Sequence, residues 1–199
     1  MYEYETPFWR ENKVVCGIDE AGRGPLAGPV CAAAVMLDPD HTIEGLNDSK
    51  KLSEKKREFL YEEIIKHSLA YGIAMATREE IDEINILQAT FLAMNRAFDK
   101  LAVRPDAALV DGNRDPHLPC ETTCIIKGDS LSGSIAAASI LAKVTRDRLM
   151  VELAAEYPEY RFEVHKGYPT KMHRELILQY GPSAIHRRSF LKKLLGEQK

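Results

Sequence analysis

Val14-Val15-Cys16-Gly17-Ile18-Asp19-Glu20-Ala21-Gly22-Arg23-Gly24-Pro25 is the stretch whose reading decides the fold. Val14 to Asp19 is the kind of short apolar run that forms a buried strand. Asp19 and Glu20 close that run, and a glycine-flanked arginine follows. A strand end of this composition can hold metal ions beside a backbone that approaches a substrate closely. Neighbouring strand residues point to opposite faces, so the two acids share a site only if regular strand ends between them. Gly22 and Gly24 suggest that it does.

Moving outward, Pro29 to Leu37 reads as a second strand, turned by Pro25 and Gly28 into an antiparallel partner of the first. Ser53 is placed to cap a helix that runs to about His67. Leu69 to Ala76 alternates as a third strand. Thr77 to Glu83 reads as a short helix, and Asn85 caps a longer one over Leu87 to Leu101. Ala107 to Gly112 is a fourth strand, with Asp111 near its end. Thr122 to Lys127 is a fifth, running into Gly128-Asp129-Ser130. Helices flanking these later strands favour parallel pairing. Ser132 to Tyr157 is one long helix, ended by Pro158. Its small-residue half, Gly133 to Ser139, suits close packing on a sheet. His165 to Thr170 then reads as a loop, followed by helices over Thr170 to Tyr180 and Ser183 to Leu195.

The chain has 199 residues, 45% hydrophobic and 29% charged, enough for a sizeable core. No apolar run approaches the roughly 20 residues that span a bilayer, and the acidic N-terminus does not read as a signal peptide. Cys16 and Cys31 lie in apolar runs and read as reduced core thiols. Cys120 and Cys124 have a zinc-like spacing, but no second Cys/His pair stands close by. A cytoplasmic protein without membrane attachment is expected. The net charge of −3 is unevenly spread. Arg161 to Lys199 holds nine Lys/Arg against three Asp/Glu, leaving the acids in the earlier part. A local basic surface of this kind suits a phosphate backbone despite the acidic total.

Asp19, Glu20, Asp111 and Asp129 thus sit at three expected strand ends, each followed by glycine or a small residue. Four carboxylates at one sheet edge need counter-charge. Two Mg²⁺ or Mn²⁺ ions would supply it and leave positions for water and phosphate oxygens. Competing motifs fail. Gly22 to Gly28 puts its third glycine one place late for a dinucleotide loop, and there is no Gly-Lys-Ser/Thr for a P-loop. Gly128-Asp129-Ser130-Leu131 resembles one esterase serine motif, yet it lies mid-chain with no aspartate after Asp147. The six histidines are scattered, and His165 and His173 read as surface residues.

This set of segments resembles bacterial ribonuclease HII. The resemblance is carried by Gly17 to Val30, Asn47 to Leu52, Val110-Asp111-Gly112, Lys127-Gly128-Asp129, Ala137 to Asp147, Lys166 to Thr170 and His186 to Phe190, in family order over almost the whole chain. It implies an α/β, ribonuclease H-like fold: a five-stranded mixed sheet flanked by helices. Residues 1–157 would form the catalytic domain, and 158–199 a helical extension that completes the substrate site. It implies a monomeric, two-metal endonuclease that cuts the RNA of RNA–DNA hybrids. Incision 5′ of single ribonucleotides in duplex DNA is implied as well, with 3′-OH and 5′-phosphate ends, in ribonucleotide and primer removal.

The resemblance assigns Asp19, Glu20, Asp111 and Asp129 as catalytic metal ligands. It assigns the backbone of Gly22, Arg23 and Gly24 to the ribose 2′-OH. Tyr168 beside Pro169 reads by itself as a packing residue, but the resemblance has it stack on the deoxyribose after the ribonucleotide. Ser49, Lys50, Lys143, Arg146, Arg188 and Ser189 become candidate phosphate contacts, and Asp147 a structural salt-bridge partner near Arg146. The related ribonuclease HIII, which cuts longer hybrids, usually has an extra N-terminal domain. Only about 13 residues precede the first strand here, and Tyr168 also favours HII. Other nucleases and integrases of this general fold lack the pairing of Gly-Arg-Gly with Tyr168. A non-catalytic binding module would not need all four acids. Leu194 to Lys199 lacks the glutamine-and-aromatic pattern that binds a sliding clamp, so no clamp docking is expected.

Overall fold

A computed structural model describes residues 1–196 of the chain. Five strands form one mixed sheet: β1 (Val15–Ala21), β2 (Val30–Leu37), β3 (Ser68–Ala76), β4 (Ala107–Asp111) and β5 (Glu121–Ile125), in the order β3-β2-β1-β4-β5. β1 and β2 are antiparallel, as are β2 and β3, while β1–β4 and β4–β5 are parallel. The expected five-stranded mixed sheet is therefore present. The β4–β5 crossover runs through irregular residues 112–120 rather than through a helix.

The helices are α1 (Thr6–Arg10), α2 (Glu54–His67), α3 (Arg78–Asp99), α4 (Gly133–Glu156), α5 (Phe162–His165), α6 (Lys171–Tyr180) and α7 (Arg188–Leu191). Strand alternation assigns them to two faces. Ile18, Ala32, Ala34 and Met36 pack on Ala93, Met94, Ala97 and Phe98 of α3. Cys31, Ala33, Val35 and Leu37 pack on Leu60 and Ile64 of α2 and on the alanines of α4. The small-residue half of α4 lies as close to the sheet as expected. A Cβ on Gly17 would stand 2.1 Å from the Ser134 carbonyl carbon and 2.3 Å from the Ile135 nitrogen.

The cap reading of Ser53 holds, and Thr77 and Ser132 cap their helices as well. Ser53 accepts from the Lys56 amide, Ser132 from Ile135, and Thr77 forms a full capping box with Glu80. Asn85 interrupts α3 at φ 68, and its side chain accepts from the amides of Leu87 and Gln88, so two helices do meet there.

Four expectations need correction. β1 runs without interruption to Ala21, with Asp19 opposite Ala33 and Glu20 opposite Ala32, so regular strand does not end between the two acids. β5 stops at Ile125, and Lys127 turns left-handed (φ 59) into a 3₁₀ turn over Gly128–Ser130. Asp129 thus sits on a turn and not on a strand end. His165 ends α5 instead of opening a loop. Of the expected helix from Ser183 to Leu195, only Arg188–Leu191 is α-helical. The Ser183 amide and hydroxyl bind the His186 ring, and residues 185–187 pair with loop 26–28. These bonds hold the backbone extended against a pull toward helix.

Residues after α4 build a small core of their own. Tyr160, Phe162, Ile177 and Leu191 gather around Ala27 from the loop after β1 and Met150 from α4. That core fixes the Gly22–Pro29 loop between sheet and extension.

Candidate active site

Asp19 is 5% exposed and faces α4, where the nearby Ser139 hydroxyl favours its charged form. Its Oδ1 also accepts the Glu20 amide at 2.7 Å. The β1–β4 ladder stops at Ile18–Val110, so both acids lie beyond the last paired residue on that side. Asp111 ends β4, and its Oδ1 accepts the Gly128 amide at 2.7 Å, which brings the Asp129 turn onto the β4 end. The four acids therefore meet at one edge by a route the strand-end reading did not contain.

Electrostatics confirms the crowding. Burial, then the carboxylates of Glu20 and Asp111, hold Asp19 well above the usual carboxylate range. Glu20 is raised by burial, partly offset by Arg23, whose guanidinium lies 3.6 Å away. Asp129 is raised by burial and then by Asp48 and Asp111. Asp48, unassigned in the sequence reading, is a fifth carboxylate here. It accepts the Lys50 amide at 2.9 Å and so caps the Ser49–Lys51 turn. Lys50 supplies counter-charge. Burial would lower its ammonium pKa, yet Asp19, Asp48, Asp129 and Asp111 together raise it.

Among the described residues, no three His, Cys, Asp or Glu side chains stand close enough to enclose a metal ion. The donor set still fits a hard divalent cation: the facing groups are carboxylates, and each raises the proton affinity of its neighbours, a repulsion that a cation relieves. Binding would have to draw them inward. All four cysteines are free thiols, and burial raises those of Cys16 and Cys31, as core residues require.

A cavity of about 430 Å³ opens from Glu20 past Gly22, Arg23 and Gly24 to Tyr168, with Ser49, Lys50 and Lys143 along its sides. A Cβ on Gly24 would meet the Tyr168 ring at 4.0 Å. Seven of the sequence-assigned residues are thereby brought to the mouth of the acid cluster. Ser49 is buried, with its hydroxyl 2.9 Å from that of Ser139. Lys143 pairs with Asp147 at 2.8 Å and lies 5.3 Å over the Tyr168 ring. The expected salt bridge of Asp147 exists, with Lys143 as partner.

Three phosphate assignments do not fit as made. Arg146 is fully buried and donates to the carbonyls of Ala27, Pro29 and Lys166 at 2.9–3.0 Å, so it cannot reach a phosphate. The hydroxyl and amide of Ser189 are taken by Asp82, which also accepts the Arg188 amide. Neither Arg188 nor Ser189 is among the described residues that line the cavity, although the Arg188 side chain is exposed.

Sequence reasoning missed Arg187. It is fully buried and donates to the carbonyls of Gly22 (2.7 Å), Arg23 (3.0 Å) and Gly28 (2.8 Å). Burial, then the neighbouring Arg146, lower its pKa. Two buried guanidiniums thus clamp the Gly22–Pro29 loop through five of its carbonyls, and Arg146 also ties the loop to the Lys166 carbonyl. A single positive charge in a tandem Arg187-Arg188 gives no sign of which arginine faces inward. His165 and His173, expected at the surface, are buried as well.

Comparison with known proteins agrees with this geometry. The model of the family described as Ribonuclease HII matches residues 16–193. A Ribonuclease HII of Caldicellulosiruptor bescii is 57% identical over 98% of this chain and 95% of that protein. One of a Marinomonas species is 61% identical over 92% and 93%. Among solved structures, the ribonuclease H2 of Pyrococcus horikoshii superposes with a TM-score of 0.73 at 33% identity, covering 91% of this chain and 96% of that one. The Archaeoglobus fulgidus RNase HII, solved as a complex with PCNA, gives 0.71 at 28% identity over 88% and 94%. That complex belongs to the archaeal protein. The absence of a clamp pattern here was read partly on residues 197–199, outside the described residues. A Bst-RNase HIII in complex with Mn²⁺ gives 0.76 at 20% identity over 92% of this chain and 70% of that one, a likeness of fold.

Proposed function

This chain belongs to the ribonuclease HII family, and from that premise we propose that it incises duplex DNA 5′ of a single embedded ribonucleotide, using two divalent ions. As a member of that family it is a ribonuclease H, an endonuclease acting on RNA–DNA hybrids with divalent-metal dependence. One observation carries the finer reading: a single cavity runs from Glu20, one of the four carboxylates, past Gly22–Gly24 and, at its far side, to Tyr168.

In this reading Asp19, Glu20, Asp111 and Asp129 hold the ions, Mg²⁺ or Mn²⁺. Two such ions would activate a water and stabilise the leaving oxygen of the phosphodiester. The nearby Ser139 hydroxyl favours the charged form of Asp19, and the Gly128 amide orients Asp111. The side-chain-free backbone of Gly22 and Gly24 comes against the ribose and finds its 2′-OH. Tyr168 stacks on the next sugar, where a 2′-OH would obstruct it, and so marks the RNA-to-DNA junction. Lys50 and Lys143 offer the charge that seats the flanking phosphates, with Ser49 as a hydrogen-bonding neighbour. Residues 158–199 complete the site by presenting Tyr168 and by holding the loop through Arg187. The products would be 3′-OH and 5′-phosphate ends, suited to ribonucleotide and primer removal.

The test is cleavage of a labelled duplex carrying one ribonucleotide, with the cut mapped in Mg²⁺ and in Mn²⁺. One cut 5′ of the ribonucleotide, absent in excess EDTA, supports the reading. Full activity in EDTA, or cutting of long hybrids alone, contradicts it.

A further inference from the structure

Three histidines of the segment after α4 form one buried unit behind the cavity wall. His165 and His173 stack with ring centres 4.1 Å apart, and the Nε2 atoms of His173 and His186 are 3.0 Å apart. Their hydrogen bonds admit one arrangement of protons. The Tyr168 carbonyl can only accept, so His173 Nδ1, 2.9 Å away, carries hydrogen. His173 Nε2 is then an acceptor, and His186 Nε2 donates to it. His186 Nδ1 is left to accept from the amide and hydroxyl of Ser183, at 2.9 and 2.7 Å. His165 donates from Nε2 to the Tyr160 carbonyl and accepts the Gly167 amide at Nδ1. Every ring nitrogen is used, and every ring is neutral. Burial lowers the pKa of His173 to about 4 and of His186 to about 3, which agrees.

The chain of bonds has two ends. At one, His173 holds the carbonyl of Tyr168. At the other, His186 bridges Ala27, and the next residue, Arg187, holds the carbonyls of Gly22 and Arg23. We infer that His173 and His186 are positioning residues whose ring-to-ring hydrogen bond sets the spacing between Tyr168 and the Gly22–Gly24 loop. This rests on the reading above of those two elements as sugar sensors. In that reading the two elements touch the sugars of adjacent nucleotides. A fixed spacing would let the pair measure a single ribonucleotide followed by a deoxyribonucleotide, and a loosened one would blur that measurement.

The experiment compares kcat/KM on a duplex with one ribonucleotide against kcat/KM on a long uniform hybrid, for the full chain and its variants. Tyr168→Ala is expected to lower this ratio about tenfold, and His173→Leu to lower it about fivefold, the scale of one lost buried hydrogen bond. His173→Asn keeps a donor for the Tyr168 carbonyl but loses the acceptor for His186, so its ratio should fall about as far as that of His173→Leu. In the Tyr168→Ala background, His173→Leu should change the ratio no further, because its effect passes through Tyr168. If His173→Leu does not fold, His186→Asn takes its place, keeping the acceptor for Ser183 while losing the donor to His173. Its ratio should also fall about fivefold. Equal losses on both substrates, or additive effects in the double variant, would overturn the inference while leaving Tyr168 as a sensor. An unchanged ratio in Tyr168→Ala would overturn the sensor reading itself, and the inference with it.

Discussion

The two sides of the site are built on opposite principles. On one side, carboxylates stand at the ends of β1 and β4 and on the turn after β5, held by few bonds and repelling one another. On the other, every side-chain nitrogen of Arg146, Arg187 and the three histidines makes a hydrogen bond, and together they fix the Gly22–Pro29 loop and Tyr168 from behind. On the proposed function, the difference teaches that catalytic geometry can be left for bound ions to complete, whereas recognition geometry is set by folding. Burying a guanidinium is expensive unless its donors are met. Here backbone carbonyls meet them, so the expense goes into holding the loop whose shape matters.

The comparison can be broken most severely on the carboxylate side. Asp111→Asn should lower cleavage by about a thousandfold or more, the scale of removing a metal-organising group. Its melting temperature without metal should stay equal or rise, because one repelling charge is gone. A joint fall of activity and melting temperature would mean that Asp111 serves the fold instead.

Arg187→Leu attacks the other side and should do the reverse. Three carbonyls lose their donors, so stability should fall by about 3 kcal/mol in denaturant titrations. A neutral outcome would show that the loop does not depend on its clamp.

Acid should weaken the same region. His173 and His186 are neutral when folded, with pKa values of about 4 and 3, and ordinary when unfolded. The unfolded chain therefore binds more protons below about pH 6.5, and stability declines as pH falls through that value. Between pH 7 and pH 5 the cost is about 2 kcal/mol per histidine. Melting curves across this range check it, and His173→Leu should flatten the decline. An unchanged slope would show that the rings are not held neutral.

The mildest change separates two neighbouring glycines. At Gly22, φ is +96 and a Cβ would lie 2.1 Å from Arg146 Nε, so Gly22→Ala should disturb the clamp and lower stability by about 1–2 kcal/mol. At Gly24 the nearest atom to a Cβ is 4.0 Å away. Gly24→Ala should leave the melting temperature unchanged and lower activity about tenfold by standing between backbone and ribose. Matching effects at the two positions would erase the distinction between a glycine that fits the protein and one that fits the substrate.

Much of this was legible in the sequence, and the failures have a common cause. Local chemistry could be read. Ser53 and Thr77 cap where their side chains can reach, and Asn85 breaks α3 through its own amide oxygen. The acids announced themselves by following apolar runs. What stayed hidden depends on partners distant in sequence. Five of the six carbonyls that hold Arg146 and Arg187 lie in the loop after β1, Ser189 is tied up by Asp82, residues 185–187 are held extended by loop 26–28, and Asp48 meets Asp129 only through folding. Charge in a sequence suggests solvent or substrate, and only the fold shows that carbonyls occupy these arginines.

The contrast between a loose catalytic side and a set recognition side is tested most directly by amide hydrogen exchange with and without saturating Mn²⁺. Protection should increase around Asp19–Glu20, at Asp111 and across Gly128–Ser130, while Gly22–Gly28 and Tyr168 exchange at the same slow rates in both states. Protection that rises at Gly22–Gly28 and Tyr168, or stays flat around the carboxylates, would contradict it.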